Sequence, residues 1–122
     1  MTKRPLLILV AGPYRSGTND DPDLIAANLR AMNEVCLRLL RAGHIPITGE
    51  AMALPLVELA GSQRIGDAIF DEIMHPYGRA LVVCCDACLR IGGPSQGADE
   101  MMALAKAHGR EVYYHIEDVP SV

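Results

Sequence analysis

The chain reaches its first apolar stretch at Leu6-Leu7-Ile8-Leu9-Val10, which Ala11 extends and Gly12-Pro13 ends. Every position in this stretch is apolar, which is typical of a strand that is covered on both faces. A parallel sheet with helices on each side provides that environment. We therefore expect this stretch to form a central strand of a parallel sheet.

The rest of the chain alternates helical patterns with short apolar runs. Apolar residues recur at helical spacing over 23–41, and the run 44–47 follows after a short break, as in a β-α-β unit. We assign the ambiguous run 80–85 to the end of a helix, because a strand should directly precede the glycine-rich stretch that starts at Gly92. The other predicted elements are a helix over 51–59 interrupted at Pro55, a helix through 65–74 that Pro76 breaks, strands over 88–91 and 111–114, and a helix over 95–108. This order predicts a single α/β domain, residues 1–122, with a doubly wound and mainly parallel sheet.

The charge balance argues against two classes of partner. Eleven Lys and Arg residues stand against 15 Asp and Glu residues, for a net charge of -4, so no basic surface is expected for duplex DNA or RNA. The basic segment Met1–Pro5 precedes an apolar run that is too short for a signal peptide or a membrane span. We expect a cytoplasmic protein without a membrane partner.

The four cysteines are Cys36, Cys84, Cys85 and Cys88. Cys85 and Cys88 have the C-x-x-C spacing, but neither a second such pair nor a nearby histidine pair completes a zinc site. We predict reduced, buried thiols and no metal.

Two loops follow predicted strands, where ligands bind in open parallel sheets. The first loop, residues 12–18, contains Gly12, Tyr14 and Arg15 within a glycine-rich segment. It is not a P-loop, because Thr18 stands where lysine is required and the helix begins several residues later. We predict that Arg15 binds a phosphate and that Tyr14 stacks on a base, and the alternatives are a solvated arginine and a partly buried tyrosine.

The second loop, residues 92–99, follows a strand and opens a helix. Free backbone N–H groups and the positive end of the helix dipole meet there, and Ser95 adds a hydroxyl, so the loop suits a phosphate. Alternatively, Ser95 caps the helix and the glycines only form the turn. The G-x-G-x-x-G spacing of a dinucleotide site is absent, and we predict no cofactor.

Together these segments resemble a known superfamily. Gly12-Pro13-Tyr14-Arg15 follows the first strand, Glu50 follows the second, Asp86 precedes a strand, and Ser95-x-Gly97-Ala98 opens a helix. The chain is similar to the nucleoside 2-deoxyribosyltransferase-like superfamily over nearly its full length. The similarity is strongest to short bacterial relatives of unassigned function and more distant to the 2'-deoxynucleoside 5'-phosphate N-hydrolases.

The resemblance implies a flavodoxin-like, Rossmannoid three-layer α/β/α sandwich that binds a nucleotide or nucleoside and cleaves or exchanges its N-glycosidic bond. It also implies a homo-oligomer, a phosphate held by the Ser-x-Gly turn, and a glutamate nucleophile four residues after that glycine. That position is Met101 in this chain. A thioether cannot form the glycosyl ester of a retaining displacement, so the family mechanism does not carry over intact.

The neighbouring carboxylates, Asp99 and Glu100, are the candidate catalytic residues. Glu100 is expected to point away from the site unless the helix start is shifted, since one residue turns a helix by about 100°. Asp99 alternatively complements the helix dipole. If neither acts, the chain is a non-catalytic nucleotide-binding or sensing domain. A weaker similarity connects the glycine-rich turn to the lysine-decarboxylase-like phosphoribohydrolases, whose chains are longer.

The remaining candidate residues are assigned to substrate binding. Arg90 lies inside an apolar strand, where its charge needs either a carboxylate or a bound phosphate as partner. Asp86 and Glu50 are expected to approach a ligand across the sheet, although Asp86 alternatively caps a turn. The full predicted binding set is Gly12, Tyr14, Arg15, Glu50, Asp86, Arg90, Gly93, Ser95, Gly97 and Ala98.

Overall fold

The computed structural model describes residues 4–122, so Met1–Lys3 of the basic N-terminal segment lie outside the described residues. The elements in chain order are β1 (Leu7–Ala11), α1 (Pro22–Arg41), β2 (Ile45–Ile47), α2 (Gly49–Leu59), α3 (Ala68–Cys84), β3 (Ala87–Arg90), α4 (Gln96–Ala107), β4 (Glu111–Tyr113) and a 3-10 helix (Ile116–Asp118). Within residues 4–122, no helix combines the length and the apolar character needed to cross a membrane.

The four strands form one parallel sheet in the order β2-β1-β3-β4. Strand β1 lies inside the sheet, with Leu9 opposite Ile47 of β2 and opposite Cys88 of β3. The chain first adds β2 on one side of β1 and then crosses to add β3 on the other. The predicted α/β class and the parallel sheet are confirmed, and the strand order reverses between β1 and β3.

Alternate residues of the strands build two separate cores, one on each face of the sheet. On one face, Leu9 packs in a cluster with Met102 of α4 and with residues of α3. On the other face, Val10 packs with Met32 and Leu39 of α1. Helix α2 packs against α3. The result is a three-layer α/β/α sandwich, consistent with the flavodoxin-like fold.

Helices α2 and α3 differ from the predicted ones in three respects. Helix α2 continues through Pro55 and α3 continues through Pro76, although each proline removes one backbone hydrogen bond. Packing of the two helices against each other holds both together despite this loss. Helix α3 begins at Ala68 rather than near Ile65, because the Asp67 side chain accepts a hydrogen bond from Phe70 N at 2.9 Å and caps it there. The run 80–85 is helical up to Cys84, as predicted.

Candidate functional site

A pocket of about 380 Å³ opens over the carboxyl end of β1, beside the point where strand order reverses. Its walls come from the end of β1, the loop after it, the first turn of α2, one face of α3 and the first turns of α4. Gly12 is needed at this edge, because a Cβ there would lie 2.8 Å from Ile91 Cγ1. The fold therefore brings both predicted loops to one cavity.

The N-terminus of α4 forms one wall of the pocket through residues 95–98. Ser95 is buried, and its Oγ accepts a hydrogen bond from Ala98 N at 3.2 Å, so the serine caps the helix. Apart from its chain neighbours and the backbone of its own helix, no atom lies within 4 Å of the position that a Cβ on Gly97 would take. The backbone is consequently open at Gly97, and the first N–H groups of α4, which form the positive end of the helix dipole, lie at this wall of the pocket.

Arg90, Asp99 and Gly93 form a separate group beside the pocket rather than part of its lining. The Arg90 side chain is only 11% exposed, and its Nε lies 3.0 Å from Asp99 Oδ1. The guanidinium also donates to the carbonyl oxygens of Gly93, at 2.8 Å, and of Ile91. Of the two partners predicted for Arg90, the structure therefore provides the carboxylate. Asp99 holds this arginine, and its side chain is 70% exposed.

Glu100 and Met101 both line the pocket. Glu100 was expected to point away from the site unless the helix start is shifted, but it is one of the residues that line the pocket. Glu100 Oε1 accepts a hydrogen bond from Arg79 Nη1 of α3 at 2.9 Å. Met101 lies beside Gly78, where a Cβ would be 3.4 Å from the Met101 sulfur. A carboxylate is thus present next to the position that the resemblance assigns to the nucleophile.

Glu50 lies in the first turn of α2, which Thr48 caps by accepting a hydrogen bond from Ala51 N at 3.1 Å. The Glu50 side chain lines the pocket, and burial raises its pKa above the ordinary value. Among residues 4–122, no other residue forms an ion pair or a hydrogen bond with this carboxyl group. Glu50 is therefore a partly buried acid that lines the cavity, and the hydrogen bond from its own backbone N–H only partly offsets the effect of burial on its pKa.

Tyr14 and Arg15 enter the pocket from the loop after β1. The Tyr14 ring stacks on Phe70 of α3, with ring centroids 6.3 Å apart and an angle of 11° between the planes. Asn28 Nδ2 donates to Tyr14 O at 2.9 Å and holds this part of the loop to α1. Arg15 forms an ion pair with Asp20, so its guanidinium is not freely solvated.

Several pocket residues were not predicted from the sequence. Asp71 and His75 lie one turn apart on α3, with Asp71 Oδ1 3.6 Å from His75 Nε2. Phe70, the stacking partner of Tyr14, was missed as well. The i, i+4 spacing of an acid and a histidine was visible in the sequence, but only the packing of α3 shows which face borders the cavity.

Asp86 is not part of this pocket. It precedes β3 and therefore lies at the amino ends of the strands, at the opposite edge of the sheet. Its carboxylate accepts a hydrogen bond from Leu7 N at 2.8 Å and pairs with Arg4 at 2.9 Å. These contacts lower the pKa of Asp86 to about 2, and they make it a structural link between β1 and β3.

The groups that line the pocket include carboxyl groups, a histidine, an arginine, two aromatic rings and a helix N-terminus. All four cysteines are free, but the prediction that they are buried is wrong for Cys84, which is exposed, and only partly right for Cys36. Burial raises the pKa of the Cys88 thiol to about 12. Within the described residues, His, Cys, Asp and Glu side chains form no group of three that could hold a metal ion.

Neither the models of known protein families nor the curated proteins contain a match to the chain.

Proposed function

We propose that the protein binds a nucleoside 5'-monophosphate, ribo- or deoxyribo-, and cleaves its N-glycosidic bond. The observation that carries this proposal is the Glu50 carboxyl group, which is partly buried, has no side-chain partner among the described residues and lies in the same pocket as Glu100. Withdrawing a carboxyl group from water without a partner destabilises its charged form. Such groups are typical of acid–base sites.

Two carboxyl groups in different environments suit glycoside chemistry. Glu100 is paired with Arg79 and supplies a carboxylate that attacks C1' of the sugar. As the C1'–O bond forms, the C1'–N bond breaks, and its electron pair leaves on the base, which takes a proton from Glu50. Water then attacks C1', Glu50 accepts the proton from that water, and Glu100 is released as the carboxylate.

The remaining walls of the pocket fit the other parts of a nucleotide. The N-terminal turn of α4 at residues 95–98 offers backbone N–H groups to a phosphate. Tyr14 and Phe70 offer a stacked aromatic pair to a base. Asp71 and His75 lie next to Phe70 on α3, where they can contact polar atoms at the edge of the base.

A second candidate function is nucleotide binding without turnover. The position of the expected nucleophile is occupied by Met101, which packs beside Gly78 and makes that part of the wall apolar. A pocket of this kind retains the aromatic pair and the helix N-terminus but forms no glycosyl ester. The protein then senses a nucleotide instead of consuming it.

A chromatographic assay for free base distinguishes the two functions. The purified protein is incubated with ribo- and deoxyribonucleoside 5'-monophosphates, and binding is followed by thermal shift on the same panel. We expect base release that Glu50→Gln and Glu100→Gln abolish and that Glu58→Gln, an exposed residue on the same helix as Glu50, leaves unchanged. If the protein binds a nucleotide but releases no base, the sensor function is supported. If it neither binds a nucleotide nor releases a base, the nucleotide assignment is refuted.

A further inference from the structure

Arg15 is the only Lys or Arg side chain among the pocket-lining residues of the described chain. Its guanidinium is engaged by Asp20 through two hydrogen bonds, from Nε to Oδ1 at 2.6 Å and from Nη2 to Oδ2 at 3.0 Å. This is the paired geometry in which arginine binds a carboxylate or a phosphate. Asp20 thus uses the edge of the guanidinium that a phosphate would use.

The loop holds Asp20 in this position through its own backbone. Thr18 Oγ1 donates to Arg15 O at 2.5 Å, and Asp20 N donates to Thr18 Oγ1 at 3.2 Å. Asp20 itself has a φ of 59°, in the left-handed region that Asp and Asn tolerate better than most residues.

The loop before α3 passes close to the guanidinium of Arg15. Gly66 lies directly against Arg15, and a Cβ at that position would overlap the guanidinium, including Nη1. A phosphate that binds Arg15 through Nε and Nη2 must replace Asp20 at that edge.

We propose that Asp20 competes with the phosphate of the ligand for Arg15 and thereby sets the affinity of the pocket for anionic ligands. This inference rests on the proposed function, because it assumes that a phosphate held by the N-terminal turn of α4 also reaches Arg15, which lines the same pocket. Arg15 and Asp20 are 46% and 53% exposed, and exposed ion pairs change an equilibrium constant by only about two- to five-fold. The Arg15–Asp20 ion pair is thus weak enough for a phosphate to displace Asp20, and strong enough to reduce the affinity for phosphate measurably.

The test compares Asp20→Asn with wild type by isothermal titration calorimetry. Asparagine keeps the left-handed backbone conformation and removes the charge, and Asp23→Asn is the matched control because it removes an exposed charge from the first turn of α1. The probes are nucleoside 5'-monophosphates, the corresponding nucleosides and inorganic pyrophosphate. We expect Asp20→Asn to bind the monophosphates and pyrophosphate about two- to five-fold more tightly than wild type, and to bind nucleosides with unchanged affinity. Asp23→Asn should bind all of these probes with the affinity of wild type.

A second variant separates competition from a general charge effect. In an Arg15→Gln background, Asp20→Asn should give no gain, since the two substitutions act on the same contact. If nucleotides bind but Asp20→Asn binds them no more tightly than wild type does, the inference is overturned and the proposed function stands. Tighter pyrophosphate binding by Asp20→Asn, with no nucleotide or nucleoside bound, overturns the proposed function alone. If no probe binds to either chain, both are refuted.

Discussion

Replacing Asp86 with asparagine should destabilise the fold without affecting the pocket. Asp86 accepts hydrogen bonds from Leu7 N and from Arg4, and these contacts lower its pKa from the ordinary value of 3.8 to about 2. One pKa unit corresponds to about 1.4 kcal/mol, so the full shift is equivalent to about 2.5 kcal/mol. Because the Asp86 side chain is 30% exposed and Arg4 is more exposed still, screening by solvent reduces the expected loss to about 1 to 2 kcal/mol.

The pH dependence of this loss has a definite sign. Because the folded pKa lies below the unfolded one, the stabilisation is complete above pH 3.8 and disappears as the pH falls through about 2. By linkage, about half of the difference between wild type and Asp86→Asn should remain at pH 3.

The assay is urea unfolding followed by circular dichroism at pH 7 and pH 3. Glu58→Gln serves as the control, since Glu58 is exposed and forms no ion pair within the described residues. The reasoning is refuted if Asp86→Asn and wild type have the same free energy of unfolding at pH 7. It is also refuted if the difference between them at pH 7 does not shrink at pH 3. Loss of ligand binding in the folded Asp86→Asn protein would show instead that Asp86 belongs to the site.

Three further substitutions probe other parts of the fold. Glu50→Gln should raise the melting temperature at neutral pH, because burial raises the pKa of Glu50 and its ionised form destabilises the fold; the gain should fade as the pH falls toward the ordinary value of 4.5, which differential scanning fluorimetry from pH 4 to 8 can follow. Gly66→Ala should cost more stability than Gly61→Ala, since both have positive φ values and about 1–2 kcal/mol of strain, but only Gly66 lies against Arg15; equal urea midpoints would contradict this. His44→Ala should lower the free energy of unfolding by about 2 to 4 kcal/mol, because the buried ring bonds to the backbone through both nitrogens; a loss below about 1 kcal/mol would show that these bonds contribute little.

The main elements of the fold could be predicted because their sequence patterns are strong. The wholly apolar run at β1 and the long amphipathic pattern of α1 leave little choice of secondary structure. The helix breaks predicted at Pro55 and Pro76 are wrong, since local propensity opposes a helix at both positions and only the packing of α2 against α3 overrides it.

The site was predictable in part for a similar reason. Residues that directly follow a parallel strand, such as Arg15 and Glu50, reach the ligand edge of the sheet by topology alone. Asp86 was misplaced because it precedes its strand and so lies at the other edge. The places of Asp71 and Glu100 depend on how α3 and α4 are rotated, which no local pattern specifies.

The position of β1 in the sheet also bears on how the chain acquires its structure during synthesis. Leu9 pairs with Ile47 on one side and with Cys88 on the other. Almost eighty further residues must therefore be translated after β1 before β3, its second neighbour, is available. Until then the apolar strand has one unpaired edge, which is the kind of surface that promotes aggregation and chaperone binding. Such distant pairing slows folding, and the pocket cannot form before α4 has emerged from the ribosome.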